Sequence, residues 1–321
     1  MNRAKWSFCI MFFFVISLSM LYAQKPAGSN RPANVPSDYV ITPFGYFHPS
    51  CVRIAKAGEI VLADGRIRFA DGTEETIAAV CSFPHYTAKG ELVAEGSANP
   101  GPLYIEHSWI EAGQVSDSTP YNGVVGAWSV PQTPTTNDGQ TLFFFPGLMH
   151  SPSDPVLIIQ PVLGWNDGQS GAGPWNIASW NCCPSGMAWS STAVTVNTGD
   201  QISGTVMAAC GAVIVQECSK WTITTTDVTT RGTTTLNVEY PSLMTFEWAV
   251  SGALEVYSIT QCSDYPPDGS ITFNSVGLYD NYFRRIQHPA WSPEYWVTEG
   301  QTDPWCNYNA TTTDTSATLY Y

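Results

Sequence analysis

The chain has 321 residues, with 27 acidic against 13 basic side chains and a formal charge of −14. Its five lysines and eight arginines form no cluster. Such a surface repels phosphate backbones, which excludes nucleic acid as a partner, and the length suffices for one large core or two smaller ones.

At the start, Arg3 and Lys5 precede an apolar run from Phe8 to Tyr22 that small Ala23 closes. Residues 1–23 read as a secretory signal peptide cleaved after Ala23. The run is short of the ~20 residues that span a bilayer, and no later segment is apolar enough. The expectation is a secreted, extracellular monomer without stable membrane insertion. Cleavage takes the formal charge from −14 to −16 and removes Cys9, leaving eight cysteines. An even number in an exported chain points to disulfides. Cys51 with Cys81, and Cys210 with Cys218, each bracket a candidate hairpin, while Cys182 or Cys183 is expected to reach Cys262 or Cys306. No cysteine or histidine spacing suits zinc, so no metal is expected. The carboxylate excess suits acidic surroundings, where protonation relieves self-repulsion.

Residues 24–38 are rich in Pro, Ser, Asn and Ala and read as a disordered leader. Residues 39–93 form a small β unit. Its candidate strands, 59–62, 66–69 and 75–80, are separated by Ala63-Asp64-Gly65 and Ala70-Asp71-Gly72, and Asp-Gly is hairpin chemistry. Residues 94–120 read as a connector. From 121 to 281, short β-prone runs follow one another: 124–130, 141–145, 156–162, 177–180, 193–196, 202–208, 213–215, 221–226, 233–238, 245–250, 253–259 and 270–276. Turn residues fill the gaps, and no window supports an amphipathic helix. This rhythm predicts an all-β fold, an antiparallel β-sandwich. Between Thr222 and Thr235 the alternation marks a hairpin with one solvated face. Residues 282–321 form a C-terminal extension with no assigned structure, and Asn309-Ala310-Thr311 matches a glycosylation sequon.

The familiar nucleophile motifs are missing: there is no G-x-S-x-G elbow, no papain-like cysteine motif, no H-E-x-x-H and no glycine-rich phosphate loop. His48, His85, His107, His150 and His288 are scattered and read as turn or surface residues. Two polar residues in apolar strands stand out. Gln160 interrupts Val156-Leu157-Ile158-Ile159-Gln160-Pro161-Val162-Leu163, where a buried amide must find partners or cost a few kcal/mol. It reads either as a satisfied core amide or as one directed into a cleft. Glu255 interrupts Gly252-Ala253-Leu254-Glu255-Val256-Tyr257. It is either an edge glutamate facing water or a desolvated carboxylate suited to general acid–base work. Glu247, in Thr245-Phe246-Glu247-Trp248, is its competitor.

Tyr121-Asn122-Gly123-Val124-Val125-Gly126-Ala127-Trp128-Ser129-Val130-Pro131 resembles the opening strand of the glutamic peptidases, or eqolisins. Ile158-Ile159-Gln160-Pro161-Val162 resembles the strand carrying that family's catalytic glutamine. Trp175-Asn176-Ile177-Ala178-Ser179-Trp180 and the segment Val196 to Gly204, with its Gly199-Asp200-Gln201-Ile202 turn, follow in the family's order. Ala253 to Tyr257 and Gly269 to Val276 resemble the strand pair bearing its glutamate. The resemblance covers residues 121–281. It implies the concanavalin-like double sheet shared with the neprosin-like peptidases, and an N-terminal propeptide. It also implies peptide hydrolysis at acidic pH by Gln160 and Glu255 without cofactor, on a polypeptide substrate lined by Trp128, Trp175 and Trp180. The family's glutamate usually precedes Trp, as Glu247 does and Glu255 does not. The aspartate found before the family's glutamine strand has no counterpart in Phe145-Pro146-Gly147-Leu148-Met149-His150. The rival expectation is a non-catalytic secreted sandwich that binds glycans or a surface partner through its 12 Trp and 15 Tyr.

Overall fold

The computed structural model describes residues 31–76, 81–93, 109–150, 157–168, 175–210, 218–240, 245–296 and 306–321. The expected signal peptide and the 213–215 run lie outside the described residues. The N-terminal part carries β1 (Val40–Thr42), β2 (Gly45–Phe47), β3 (Val52–Ala55), β4 (Ile60–Leu62), β5 (Arg66–Arg68), β6 (Glu74–Thr76), β7 (His85–Tyr86) and β8 (Leu92–Val93). Then follow β9 (Trp109–Ser116), β10 (Tyr121–Ser129), β11 (Thr141–Met149), β12 (Ile158–Trp165), β13 (Trp175–Cys182), β14 (Ala188–Ser191), β15 (Val194–Thr195) and β16 (Gln201–Ala208). The chain continues through β17 (Lys220–Asp227), β18 (Thr233–Glu239), β19 (Trp248–Tyr257), β20 (Ser270–Asp280), β21 (Arg285–Ile286), β22 (Ser292–Tyr295), β23 (Asn309–Thr313) and β24 (Ser316–Tyr320). No α-helix occurs among the described residues.

The fold is an all-β sandwich. Its first sheet runs β22-β9-β19-β11-β12-β13-β14-β3, and its second runs β23-β24-β20-β10-β16-β17-β18-β4-β5-β6. A small third sheet, β1-β2-β7-β8, is built from N-terminal residues. Those residues also join both large sheets: β3 pairs in parallel with β14, and β4 with β18.

Burial separates the two large sheets. Strands β16, β17 and β18 alternate between buried and accessible positions, as the threonine pattern anticipates, because one face meets water. Strands β11, β12 and β13 are buried at every position. Their inner face packs on the second sheet and their outer face lies beneath other chain, so continuous apolar runs replace alternation.

Proline and glycine set how the sheets meet. Pro146 and Pro161 lie on the adjacent strands β11 and β12 and point into the sandwich. Opposite them, Gly126 and Gly204 are register partners on β10 and β16. A Cβ on Gly204 would stand 2.6 Å from Pro161 Cγ, and one on Gly126 would stand 3.6 Å from Pro146 Cγ. Neither proline can donate to a ladder, and β11 shifts register against β19 between Phe145 and Gly147.

Three segments depart from the expectations. The runs 245–250 and 253–259 fuse into β19, because Gly252 carries a register shift rather than a turn. Phe273 packs where a Gly252 side chain would stand. Strand β9 occupies part of the expected connector, and the C-terminal hairpin β23–β24 pairs with β20. Cys51–Cys81 and Cys210–Cys218 are bonded as expected. The other pairing is corrected: Cys262 bonds Cys306, and Cys182 bonds its neighbour Cys183.

Candidate active site

Since Pro161 points inward, alternation turns Gln160 to the outer face of the first sheet. Its neighbours across the ladder are Trp180 on β13 and Gly147 on β11, and a Cβ on Gly147 would lie 3.3 Å from Gln160 Cβ. That outer face is covered by N-terminal residues. The Phe44 ring meets Trp180 edge-on at 5.9 Å, and the Tyr46 ring meets Tyr257 at 5.4 Å. The Arg31 guanidinium lies 4.9 Å over Tyr46 and donates to the carbonyls of Pro36 and Tyr39.

Under this cover Gln160 is fully buried. Neither its Nε2 nor its Oε1 has a hydrogen-bond partner among the described residues. An amide in that state costs roughly 1–3 kcal/mol per unmade bond, so the fold bears a penalty there that a leucine would avoid.

Glu255 is also fully buried and pairs with Phe143 across β11 and with Trp109 across β9. The Tyr257 hydroxyl, two residues on and therefore on the same face, donates to Glu255 Oε1 at 2.5 Å. Glu255 shares the outer face with Gln160, with β11 between them. Phe143 stands opposite Gly164, so the two residues are offset by four positions along the strands. With a rise of about 3.3 Å per residue and about 4.8 Å between strands, their Cα atoms are on the order of 16 Å apart. They do not hydrogen-bond directly.

Glu247 precedes β19. Trp248 pairs with Met149, which pairs with Ile158, so alternation gives Trp248 rather than Glu247 the face of Gln160. His150 Nδ1 lies 3.3 Å from Glu247 Oε2 and 2.6 Å from the Thr245 carbonyl. Of the three tryptophans expected near a substrate, Trp180 adjoins Gln160. Trp128 lies between the sheets, 5.1 Å from Phe273, and Trp175 meets Trp165 at 5.0 Å with the rings tilted by 58°. The structure does not bring those two to Gln160.

Sequence reasoning missed Tyr257, Ser190 and Glu111. Tyr257 was accessible to it, since period two places it beside Glu255. Glu111 is buried on β9 and accepts from the Asn309 backbone N–H at 3.1 Å, and burial raises its pKa to about 9. The described residues contain no group of three or more metal-ligating side chains, and no helix long and apolar enough to cross a membrane.

No protein-family model matches the chain, and no curated protein matches it. Among solved structures it is similar to scytalido-glutamic peptidase with a transition state analog inhibitor, at 11% identity and a TM-score of 0.44. That match covers 67% of this chain and 98% of the other. It is also similar to SCP-B, a member of the eqolisin family of peptidases in complex with the tripeptide Ala-Ile-His. Identity there is 12% and the TM-score 0.43, over 67% of this chain and 98% of that one. Aspergilloglutamic peptidase from Aspergillus niger matches at 17% identity and a TM-score of 0.36, over 56% and 98%.

Proposed function

We propose that the chain is a secreted, glutamic-type endopeptidase acting on polypeptides at acidic pH, with residues 39–93 as a pro-segment or accessory module over its site. The observation that carries this reading is the amide of Gln160: fully buried, unpartnered at both atoms and aimed beneath a segment that precedes the sandwich. The ordered sequence blocks around Gln160 and Glu255 point the same way, and four disulfides fit an extracellular protein.

In this reading the cover lifts and an extended peptide takes its place. Gln160 Nε2 donates to the carbonyl oxygen as negative charge develops there, work worth about 3 kcal/mol in comparable sites. Its Oε1 accepts from the attacking water. Glu255, hydrogen-bonded by the Tyr257 hydroxyl, is the group to take the water's proton and return it to the leaving amine. That role requires β19 to carry it towards Gln160 when the peptide binds, because their Cα atoms stand on the order of 16 Å apart. The non-catalytic alternative would draw on exposed tyrosines such as Tyr282, Tyr295 and Tyr320, since Trp109, Trp128, Trp165, Trp175, Trp180, Trp189, Trp221 and Trp291 are buried.

The test is digestion of a denatured protein by the full-length chain between about pH 3 and 5. Gln160→Ala, Glu255→Gln and Glu247→Gln are run in parallel. Cleavage that Gln160→Ala and Glu255→Gln abolish is the expected result. No cleavage at any pH by a folded chain overturns the reading. Loss with Glu247→Gln alone moves the proton-transfer role to the glutamate beside His150.

A further inference from the structure

The outer face bears more than one unmet polar group, and they form a row. Gln160 pairs with Trp180, and Trp180 pairs with Ser190 on β14, so the three side chains leave the same face of adjacent strands. Trp180 and Ser190 are as buried as Gln160. The Ser190 hydroxyl likewise has no partner among the described residues, and neither has the Trp180 indole nitrogen, a state it shares with Trp128, Trp165, Trp175, Trp189, Trp221 and Trp291.

The hydroxyls on the inner face of the same strands behave differently. Ser191, next in sequence, accepts from the Ser179 backbone N–H at 2.8 Å and from Thr234 Oγ1 at 2.6 Å. Ser179 Oγ lies 3.0 Å from Thr225 Oγ1. Where these hydroxyls face the sandwich interior, the fold supplies their partners. Ser190, facing outward and buried, has none among the described residues. A serine hydroxyl readily finds a local acceptor, so one left buried and unpaired calls for an explanation, and a partner from outside the chain supplies one.

We infer that Ser190 is a specificity-determining hydroxyl of the peptide site. It would recognise a hydrogen-bonding substrate side chain, Asn, Gln, Ser or Thr, about three residues from the bond held at Gln160. The inference rests on the peptidase reading of Gln160. The spacing follows from the sheet: two strand intervals of about 4.8 Å separate Gln160 from Ser190, and an extended peptide crossing the strands advances about 3.3 Å per residue. Trp180, between them, offers a donor only and so suits a main-chain carbonyl of the same peptide. Phe44 lies against Trp180, so the middle of the row becomes accessible when that part of the cover withdraws.

The test compares peptides with Gln or Leu at the third residue on either side of the cleaved bond, using the acid-incubated full-length chain. The expected wild-type result is a kcat/KM about three- to tenfold higher for the Gln peptide on one side, the range of one neutral hydrogen bond. Ser190→Ala should bring that ratio to about one, and Ser190→Thr, which keeps the hydroxyl, should restore it. A wild-type chain that cleaves without this preference overturns the inference and leaves the peptidase reading standing. So does a Ser190→Ala variant that keeps the preference. A folded wild-type chain that cleaves nothing overturns both.

Discussion

Replacing Glu111 by Gln should stabilise the protein at neutral pH and flatten its pH dependence. Glu111 is the third residue of β9, buried against the C-terminal hairpin, where its Oε2 accepts from the Asn309 backbone N–H. Burial raises its pKa from 4.5 to about 9, so the folded chain keeps this carboxyl protonated while an unfolded chain ionises it. Above pH 4.5 the folded state therefore binds the extra proton, and stability must fall as pH rises towards 9. At pH 7 the interval from 4.5 converts to about 3 kcal/mol, at about 1.36 kcal/mol per unit. Below pH 4.5 both states are protonated and the penalty vanishes. Glutamine keeps the accepting oxygen and cannot ionise. Urea unfolding at about pH 4.5 and about pH 7 is the assay. The wild type should lose about 3 kcal/mol between them through this residue, and Glu111→Gln should lose correspondingly less. Equal slopes for the two proteins would refute the assignment of a neutral, buried Glu111.

Asp264 has the opposite sign. Burial pushes its pKa up, but hydrogen bonds from the Thr136 hydroxyl and from the Thr260 and Gln261 backbone N–H groups outweigh this, so the net shift is downward. Asp264→Ala should cost about 1–3 kcal/mol at pH 7, and the difference from wild type should shrink as pH falls below 3.8, read by urea midpoints. Gly252→Ala places a Cβ 2.3 Å from the Phe273 ring and should cost about 1–3 kcal/mol in thermal unfolding. Replacing Cys262 and Cys306 together by Ser frees a loop with a sequence separation of 44, and should cost about 4 kcal/mol in the chain-entropy account. His85, stacked on Phe47 at 4.6 Å within the cover, has its pKa lowered by burial to about 4. Its folded state stays neutral where an unfolded one is charged, so acidification from 6.5 to 4 should weaken the cover by up to about 3 kcal/mol. Proteolytic susceptibility of residues 31–93 should rise across that range in wild type and rise less in His85→Phe.

Legibility followed burial. The threonine strands were readable because one face meets water and the pattern alternates. The strands around Gln160 were readable as apolar runs for the opposite reason, both faces being covered. Strand β9 was hidden, since Glu111 and Gly113 interrupt its apolar content, and only the burial of Glu111 against β23 explains a carboxylate there. Gln160 drew attention because its polarity violates its surroundings. Ser190 could not, since serine beside serine in Ala188-Trp189-Ser190-Ser191 is unremarkable until Ser191 is found satisfied and Ser190 is not. Nor does sequence reveal that β11 separates Gln160 from Glu255, because strand order and register belong to the whole sheet.

Glu111 and His85 respond to acid in opposite directions, and they sit in different places. Glu111 lies within the sandwich, where lower pH removes the cost of burying a carboxylate. His85 lies in the small N-terminal sheet, where lower pH adds the cost of burying an imidazole. Acidification between about 6.5 and 4.5 therefore strengthens the sandwich while it weakens the segment lying over Gln160. The cover is held besides by parallel pairing of β3 with β14 and β4 with β18, which protonation of His85 does not touch. The part freed first should be the β1-β2-β7-β8 sheet, which carries Phe44 and Tyr46 on or beside its strands. Its withdrawal would uncover Trp180, which stands beside Gln160 and which Phe44 now covers.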